Sequence, residues 1–258
     1  MNIVHQAPAL QVLKATADET VDLVYTDPPF GTGDTQAAHG MAYGDPKESY
    51  AAFLLTHIRE FHRVLKTTGS LYLHLDWRQV HRARFACERI FGVDNFLNEI
   101  IWSYNFGGRG RDRWARKHDN ILVYAKQAGQ HVFNYDDVDR VPYKAPGMQR
   151  VGRTPEDAEA RIARGQVPTD VWEMSIVGTN SRERTGYPSQ KPLKLVERIV
   201  VASSPPGGLI MDVFAGSGTT GEAAHKHGRS FVLADTNPQA IDVMKVRLKD
   251  VPIDWRTP

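Results

Sequence analysis

Apolar and polar residues alternate along this chain in two rhythms, one of strands and one of helices. Val21, Leu23, Val24 and Tyr25 form a short apolar run bounded by turn residues, as a buried strand does. From residue 50 to 65, Phe53, Leu54, Ile58, Phe61 and Leu65 recur at helical spacing, and Gly69 follows as a stop signal. SLYLHLDW then alternates as a strand, and HRARFACERIFG predicts a helix closed by Gly92. Residues 2–4 predict a short strand, 9–13 a helical turn, and 100–104 with 121–124 an antiparallel pair. Later, Leu193, Val196, Ile199 and Val200 mark a helix face, 209–214 a strand, 219–228 a helix and FVLAD a last strand. Strand and helix in turn argue for a doubly wound α/β sheet with right-handed crossovers. Segment 129–184 breaks the rhythm. Within it a helix is expected only over 155–163, with Thr154 as N-cap and Pro155 at the first position. It reads as an insertion on the sheet rather than part of it.

With 258 residues, 41% of them hydrophobic, the chain can bury the core of one α/β domain, with or without an insertion. Net charge is only +2, so any nucleic-acid surface must come from local segregation of charge. A single cysteine, Cys87, excludes intramolecular disulfides and thiol-rich metal sites and fits a reducing cytoplasm. It falls on a predicted core face, which makes it a poor nucleophile. No metal site, membrane span or leader segment is expected.

Candidate chemistry concentrates at two places. In VDLVYTDPPFGTG the strand ends abruptly in Asp27, Pro28, Pro29 and Phe30. The prolines fix the backbone and lack an N–H, so the strand stops and leaves a stiff tip at its carboxyl edge. Ligands of open α/β sheets bind at such edges. The plainer reading is a proline turn in which Asp27 bonds locally and Phe30 fills the core. The second place is LIMDVFAGSGTTGEAA, where Gly216, Gly218 and Gly221 match G-x-G-x-x-G and Asp235, in FVLAD, stands roughly 20 residues on from the first glycine. No Lys precedes the threonine pair, so it is not a P-loop. Taken alone it suits a dinucleotide fold, but Asp212 just before the glycines is awkward beside a pyrophosphate and suits a cationic or hydroxyl-bearing ligand. His74 and Asp76, ending the SLYLHLDW strand, are either functional or rim positions. Between the paired strands NFGGRGRDRWARKHDN sets Arg109, Arg111, Arg113, Arg116 and Lys117 against Asp112. That composition suits a loop tracking phosphates, or a solvated charged loop.

TDPPF resembles the catalytic motif, and DVFAGSGTT the cofactor motif, of the S-adenosyl-L-methionine (SAM)-dependent DNA amino methyltransferases. YPSQKPLKLVERIV and KHDNILVYAK, with His118, are similar to flanking segments of the same family. The order of tip, irregular segment and glycine motif resembles the β-class of these enzymes. That resemblance implies a mostly parallel seven-stranded methyltransferase sheet with one antiparallel strand, and a division into a catalytic half (1–128), an inserted target-recognition region (129–184) and a cofactor-binding half (185–258). The basic residues of that region include Arg140, Lys144, Arg150, Arg153, Arg161 and Arg164. The resemblance further implies that Asp27 and the Pro28 carbonyl accept the amino hydrogens of a flipped base, with Pro29 stiffening the tip and Phe30 stacking on the ring. Asp212, Phe214, Gly216, Ser217, Gly218, Thr219 and Thr220 would surround the cofactor, Asp235 its ribose hydroxyls and Asn237 its adenine. Lys191 would meet the cofactor carboxylate or stay in solvent. Arg109, Arg111, Arg113, Arg116, Lys117 and His118 would contact DNA. Related enzymes carry Gly-Asp where Ala7 and Pro8 stand here, so that acid contact is missing. The implied partners are double-stranded DNA, a second copy of the chain and a cognate restriction endonuclease. TDPPFGTG is slightly closer to cytosine-N4 enzymes, with adenine N6 the alternative. An RNA or protein-amide methyltransferase and a NAD-dependent oxidoreductase are the rival readings.

Overall fold

Every strand expected from the hydrophobic pattern joins one sheet. The computed structural model describes residues 1–30, 35–38, 41–44, 50–142 and 154–257. In chain order it contains β1 (Ile3–Gln6), α1 (Ala9–Ala15), β2 (Val21–Thr26), β3 (Thr35–Ala38), β4 (Met41–Gly44), α2 (Tyr50–Val64), β5 (Leu65–Leu75) and α3 (Val80–Phe91). Then follow β6 (Phe96–Ser103), β7 (His118–Ala125), α4 (Pro155–Arg164), β8 (Val171–Glu173), α5 (Leu193–Ser203), β9 (Leu209–Asp212), α6 (Thr219–Lys226), β10 (Ser230–Asp235), α7 (Pro238–Arg247) and β11 (Asp254–Arg256). The main sheet runs β11-β1-β10-β9-β2-β5-β7-β6-β8, and β3 pairs with β4 as a separate hairpin. Among the described strands of that sheet only β7 is reversed, antiparallel to both β5 and β6. The seven strands from β1 to β6 are the expected set. Three-residue strands β11 and β8 lengthen its two edges.

Side chains alternate between two cores, as the period of a strand requires. Leu71, Leu73 and Leu75 of β5 and Leu122 and Tyr124 of β7 pack with α1, α2 and α3, where Cys87 is buried and its thiol pKa is driven up by desolvation. Tyr72, Ile121, Val123, Leu23 and Tyr25 face α5, α6 and α7. The expected faces of α5 hold, with Val196, Ile199 and Val200 fully buried. The N-cap expected for α4 is present: Asp157 N donates to Thr154 Oγ1 at 3.2 Å.

Two expectations need correction. Gly69 does not stop a helix, because α2 ends at Val64 and β5 begins at once. It sits in a bulge, where Val21 pairs with Leu65 but Leu23 with Ser70, and a Cβ there would lie 3.0 Å from the Asp22 carbonyl. Segment 129–184 is also not merely laid on the sheet. Its residues 171–173 form β8, Ile101 N donates to the Asp170 carbonyl, and Asp139 holds Arg198 of α5 through two 2.7 Å bonds. Residues 143–153, with Lys144, Arg150 and Arg153, lie outside the described residues.

The topology fixes where a ligand can bind. From β9 the chain winds outward through β10, whereas from β2 it winds the other way through β5. The crevice at the carboxyl ends of β2 and β9 is therefore the topological switch point of the sheet.

Candidate active site

At that switch point a cavity of about 310 Å³ opens between the end of β2 and the ends of β9 and β10. Asp27, Pro28, Pro29, Phe30, Lys191, Asp212, Phe214, Gly216, Ser217, Thr219, Thr220, Asp235 and Asn237 all line it. The tip and the glycine motif, far apart in sequence, thus meet in one wall. Three carboxylates face one lysine, a donor set that suits a cationic ligand with hydroxyls and opposes a pyrophosphate.

Each carboxylate is held differently. Asp27 Oδ2 pairs with Lys191 Nζ, while Oδ1 is buried without a partner among the described residues. Asp212 is buried; its Oδ2 accepts from Thr220 Oγ1 at 2.6 Å and its Oδ1 from Phe214 N at 3.1 Å. Desolvation outweighs these bonds and pushes its pKa up to about 7. Asp235 accepts from Gly216 N and Asn237 N, both at 2.9 Å, and burial raises its pKa as well.

The glycines divide between two tasks. Gly216, at φ +48°, lines the cavity, and a Cβ there would lie 3.1 Å from the Tyr187 ring. Gly218 does not line the cavity; its missing side chain leaves room for Met244, whose Cγ would be 2.7 Å from a Cβ. Gly221 likewise admits Leu233 of β10. Both serve the packing of α6.

Lys191 reaches Asp27 because its loop is clamped. Gln190 Oε1 accepts from Thr185 N and Oγ1 at 2.8 Å, its Nε2 donates to the Glu183 carbonyl, and Glu183 Oε2 accepts from Leu193 N at the start of α5. Ser189, beside it, has φ +58°, a left-handed conformation that costs a non-glycine residue about 1–2 kcal/mol. Of the two expectations for Lys191, solvent exposure is excluded: its side chain is 11% exposed.

A second cavity, of about 630 Å³, adjoins the first and shares Phe30, Tyr187, Ser189, Gln190 and Lys191 with it. Arg78, Arg116, Arg184, His118 and Trp77 form part of its wall. Phe30, in both walls, also packs on the core, as the plainer reading expects. The basic loop divides. Arg116 caps Trp77, its guanidinium carbon 3.7 Å from the ring centroid, and His118 lines the second cavity. Arg109, Arg111, Arg113 and Lys117 border a separate groove beside Trp114; Arg113 pairs with Asp112, and Lys117 donates to the Phe106 carbonyl. In segment 129–184, Arg161 and Arg164 are exposed on α4, but Arg140 is engaged by Asp136 and the Tyr135 carbonyl and ring.

Sequence reasoning missed a buried chain of hydrogen bonds between the cavities. Tyr25, in the first, lies 3.1 Å from His74 Nδ1; His74 Nε2 lies 3.3 Å from Asp119 Oδ2; and Tyr104 donates to Asp119 Oδ1 at 3.1 Å. Burial raises the Asp119 pKa, but the His74 bond and charge, Lys191 and Tyr104 outweigh it and leave the pKa low. An ionised Asp119 can only accept, so the His74 Nε2–H donates to it. Asp76, the other rim candidate, instead caps its own turn through Arg78 N at 2.9 Å. Tyr187, in both walls, was also missed, although it opens the YPSQKP string.

The fold is of the doubly wound class, with a cavity lined by three carboxylates at its switch point beside a second one whose wall includes three arginines. The family model for DNA methylase, covering the N6/N4 methyltransferases, matches residues 21–246, and the chain belongs to this family. It is 31% identical to the DNA adenine methyltransferase YhdJ of Escherichia coli (strain K12) over 250 residues, 96% of this chain and 82% of that protein. Among solved structures, the M1.HpyAVI–SAM complex superposes with a TM-score of 0.65 at 20% identity, covering 96% of this chain and 99% of that one. The cytosine-N4-specific PvuII DNA methyltransferase superposes at 0.70 and 17% identity, covering 97% and 87%. Membership of a DNA methylase family sets aside the oxidoreductase and the RNA and protein-amide readings.

Proposed function

We propose that this enzyme transfers a methyl group from SAM to the exocyclic amino nitrogen of a base flipped out of duplex DNA. The observation that carries this reading is the unpartnered, buried Oδ1 of Asp27 in a wall that also holds the glycine motif. The donor set of the first cavity fits SAM: Asp235 is disposed toward ribose hydroxyls, Gly216 toward close backbone approach, and Asp212 toward the cationic end. When bound, SAM supplies an electrophilic methyl group.

The chain's own residues prepare the nucleophile. An amino nitrogen on a base is weak because its lone pair is delocalised into the ring. Asp27 Oδ1 accepts one amino hydrogen and the Pro28 carbonyl the other, drawing the nitrogen toward tetrahedral geometry. Lys191 holds Oδ2 and so fixes the carboxylate, while Phe30 stacks on the ring. Orientation and electrostatic preorganisation supply most of the acceleration. The proton lost from nitrogen passes to Asp27 or solvent. Because a stacked base cannot reach this tip, it is extruded into the second cavity, at roughly a few kcal/mol.

The tip context TDPPFGTG favours cytosine N4 as target, and the adenine relative favours adenine N6. Nucleoside mass spectrometry of duplex DNA treated with enzyme and SAM tests both: N4-methylcytosine or N6-methyladenine is expected, and the absence of both overturns the proposal. Segment 129–184 reads the target sequence in this scheme. A homodimer and a cognate endonuclease, implied by the family likeness, are tested by light scattering and by resistance of methylated DNA to type II cleavage. Among the described residues no helix is long and apolar enough to cross a membrane, and a cytoplasmic location is proposed.

A further inference from the structure

We infer that Trp114 is the wedge that fills the gap left in the base stack when the target base swings into the second cavity. The inference rests on the proposed transfer to a flipped base. Trp114 is 96% exposed, more than any other large apolar side chain among the described residues. Scattered exposed apolar groups are ordinary, but an indole bare on every side is a poor structural element. Its position supplies a use for it. The loop carrying it joins β6 to β7 and is closed at its base by Tyr104 N donating to the Lys117 carbonyl at 2.9 Å. Two residues further on, Arg116 is anchored over Trp77 in the wall of the second cavity. Two residues of chain span at most about 7 Å, so the Trp114 backbone stays near the wall of the second cavity while its indole borders the groove of the loop.

Charge identifies the occupant. The loop is basic, and its one nearby acid, Asp112, is neutralised by Arg113, which leaves a surface complementary to a polyanion. A large aromatic at the centre of such a surface matches apolar side chains inserted between base steps. Phe106 is the other exposed aromatic of the loop, but it is only 62% exposed and its carbonyl accepts from Lys117, which ties its segment to the base of the loop.

The test compares two short duplexes carrying the mapped target, one fully paired and one with the target opposite an abasic site, where extrusion is already easy. Full-length Trp114→Ala should transfer methyl to the paired duplex on the order of 10- to 100-fold more slowly than wild type, with a loss of about threefold or less on the abasic duplex. Trp114→Phe should keep most activity on both, and Phe106→Ala should behave as wild type. Wild-type rates for Trp114→Ala on the paired duplex, or equal losses on both duplexes, overturn the wedge. No transfer by the wild-type enzyme to either duplex overturns the underlying reading instead, and the wedge with it.

Discussion

The two cavities that meet at Phe30 and Lys191 are built from opposite materials. The first is walled by strand ends, Asp27 directly after β2, Asp212 at the end of β9 and Asp235 at the end of β10, with three carboxylates around a single lysine. The second is walled largely by turns and loops, with Arg78, Arg116 and Arg184 among its residues. Strand ends are held by the sheet on both sides and can keep costly carboxylates close together. Loops supply long basic side chains that follow a polyanion. The difference teaches how, in the proposed reading, one crevice receives a compact cation on its acidic side and a nucleic acid on the side that carries the arginines. Lys191 belongs to both walls, and its pairing with Asp27 neutralises the acid nearest the boundary.

The comparison breaks most clearly at Asp27. Asp27→Ala should lower the single-turnover methylation rate on the order of 10²- to 10³-fold, the scale of losing one preorganised transition-state partner. Calorimetry should find SAM affinity nearly unchanged, and an equal collapse of both would mean that the two cavities are not separable. Asp235→Ala should do the reverse, raising the Kd for SAM about 10- to 100-fold, as a lost hydrogen bond to a charged group does, with the rate at saturation retained.

Asp212 sharpens the contrast through pH. Its folded pKa of about 7 stands above its unfolded value near 3.8, so between those limits the folded protein holds a proton that the unfolded chain releases. Stability from this residue is therefore full at acid pH and lost as pH rises through about 7. Thermal unfolding of the ligand-free protein should show this fall, and Asp212→Asn should flatten it. The smallest effect is expected on the basic wall. Arg116→Ala should lower the salt dependence of DNA binding, d log K/d log[salt], by about 1 without altering SAM affinity. A change in SAM affinity would show that the walls are coupled.

Much of this site was legible in the chain. The strand before Asp27, the proline stop and the glycines before α6 are local features, governed by backbone sterics and by the period of burial. Two readings of equal sequence quality nevertheless diverged. Gly216 and Gly218 belong to one string, yet only Gly216 faces the cavity, while Gly218 makes room for Met244. The motif cannot say which, since the answer depends on where α7 packs.

The amino-acid sequence by itself determined the doubly wound class, the stiff acidic tip and the place of the second anchor, because each follows from interactions among neighbours in the chain. Only the tertiary structure decided that Lys191 holds Asp27 across 164 residues, that Tyr25, His74, Asp119 and Tyr104 form a buried relay, and that residues 171–173 extend the sheet. These depend on strand order and register, which bring together side chains that no local rule relates. A shift of one residue in β5 would turn His74 to the opposite face and dissolve the relay while leaving the hydrophobic pattern of every other element intact.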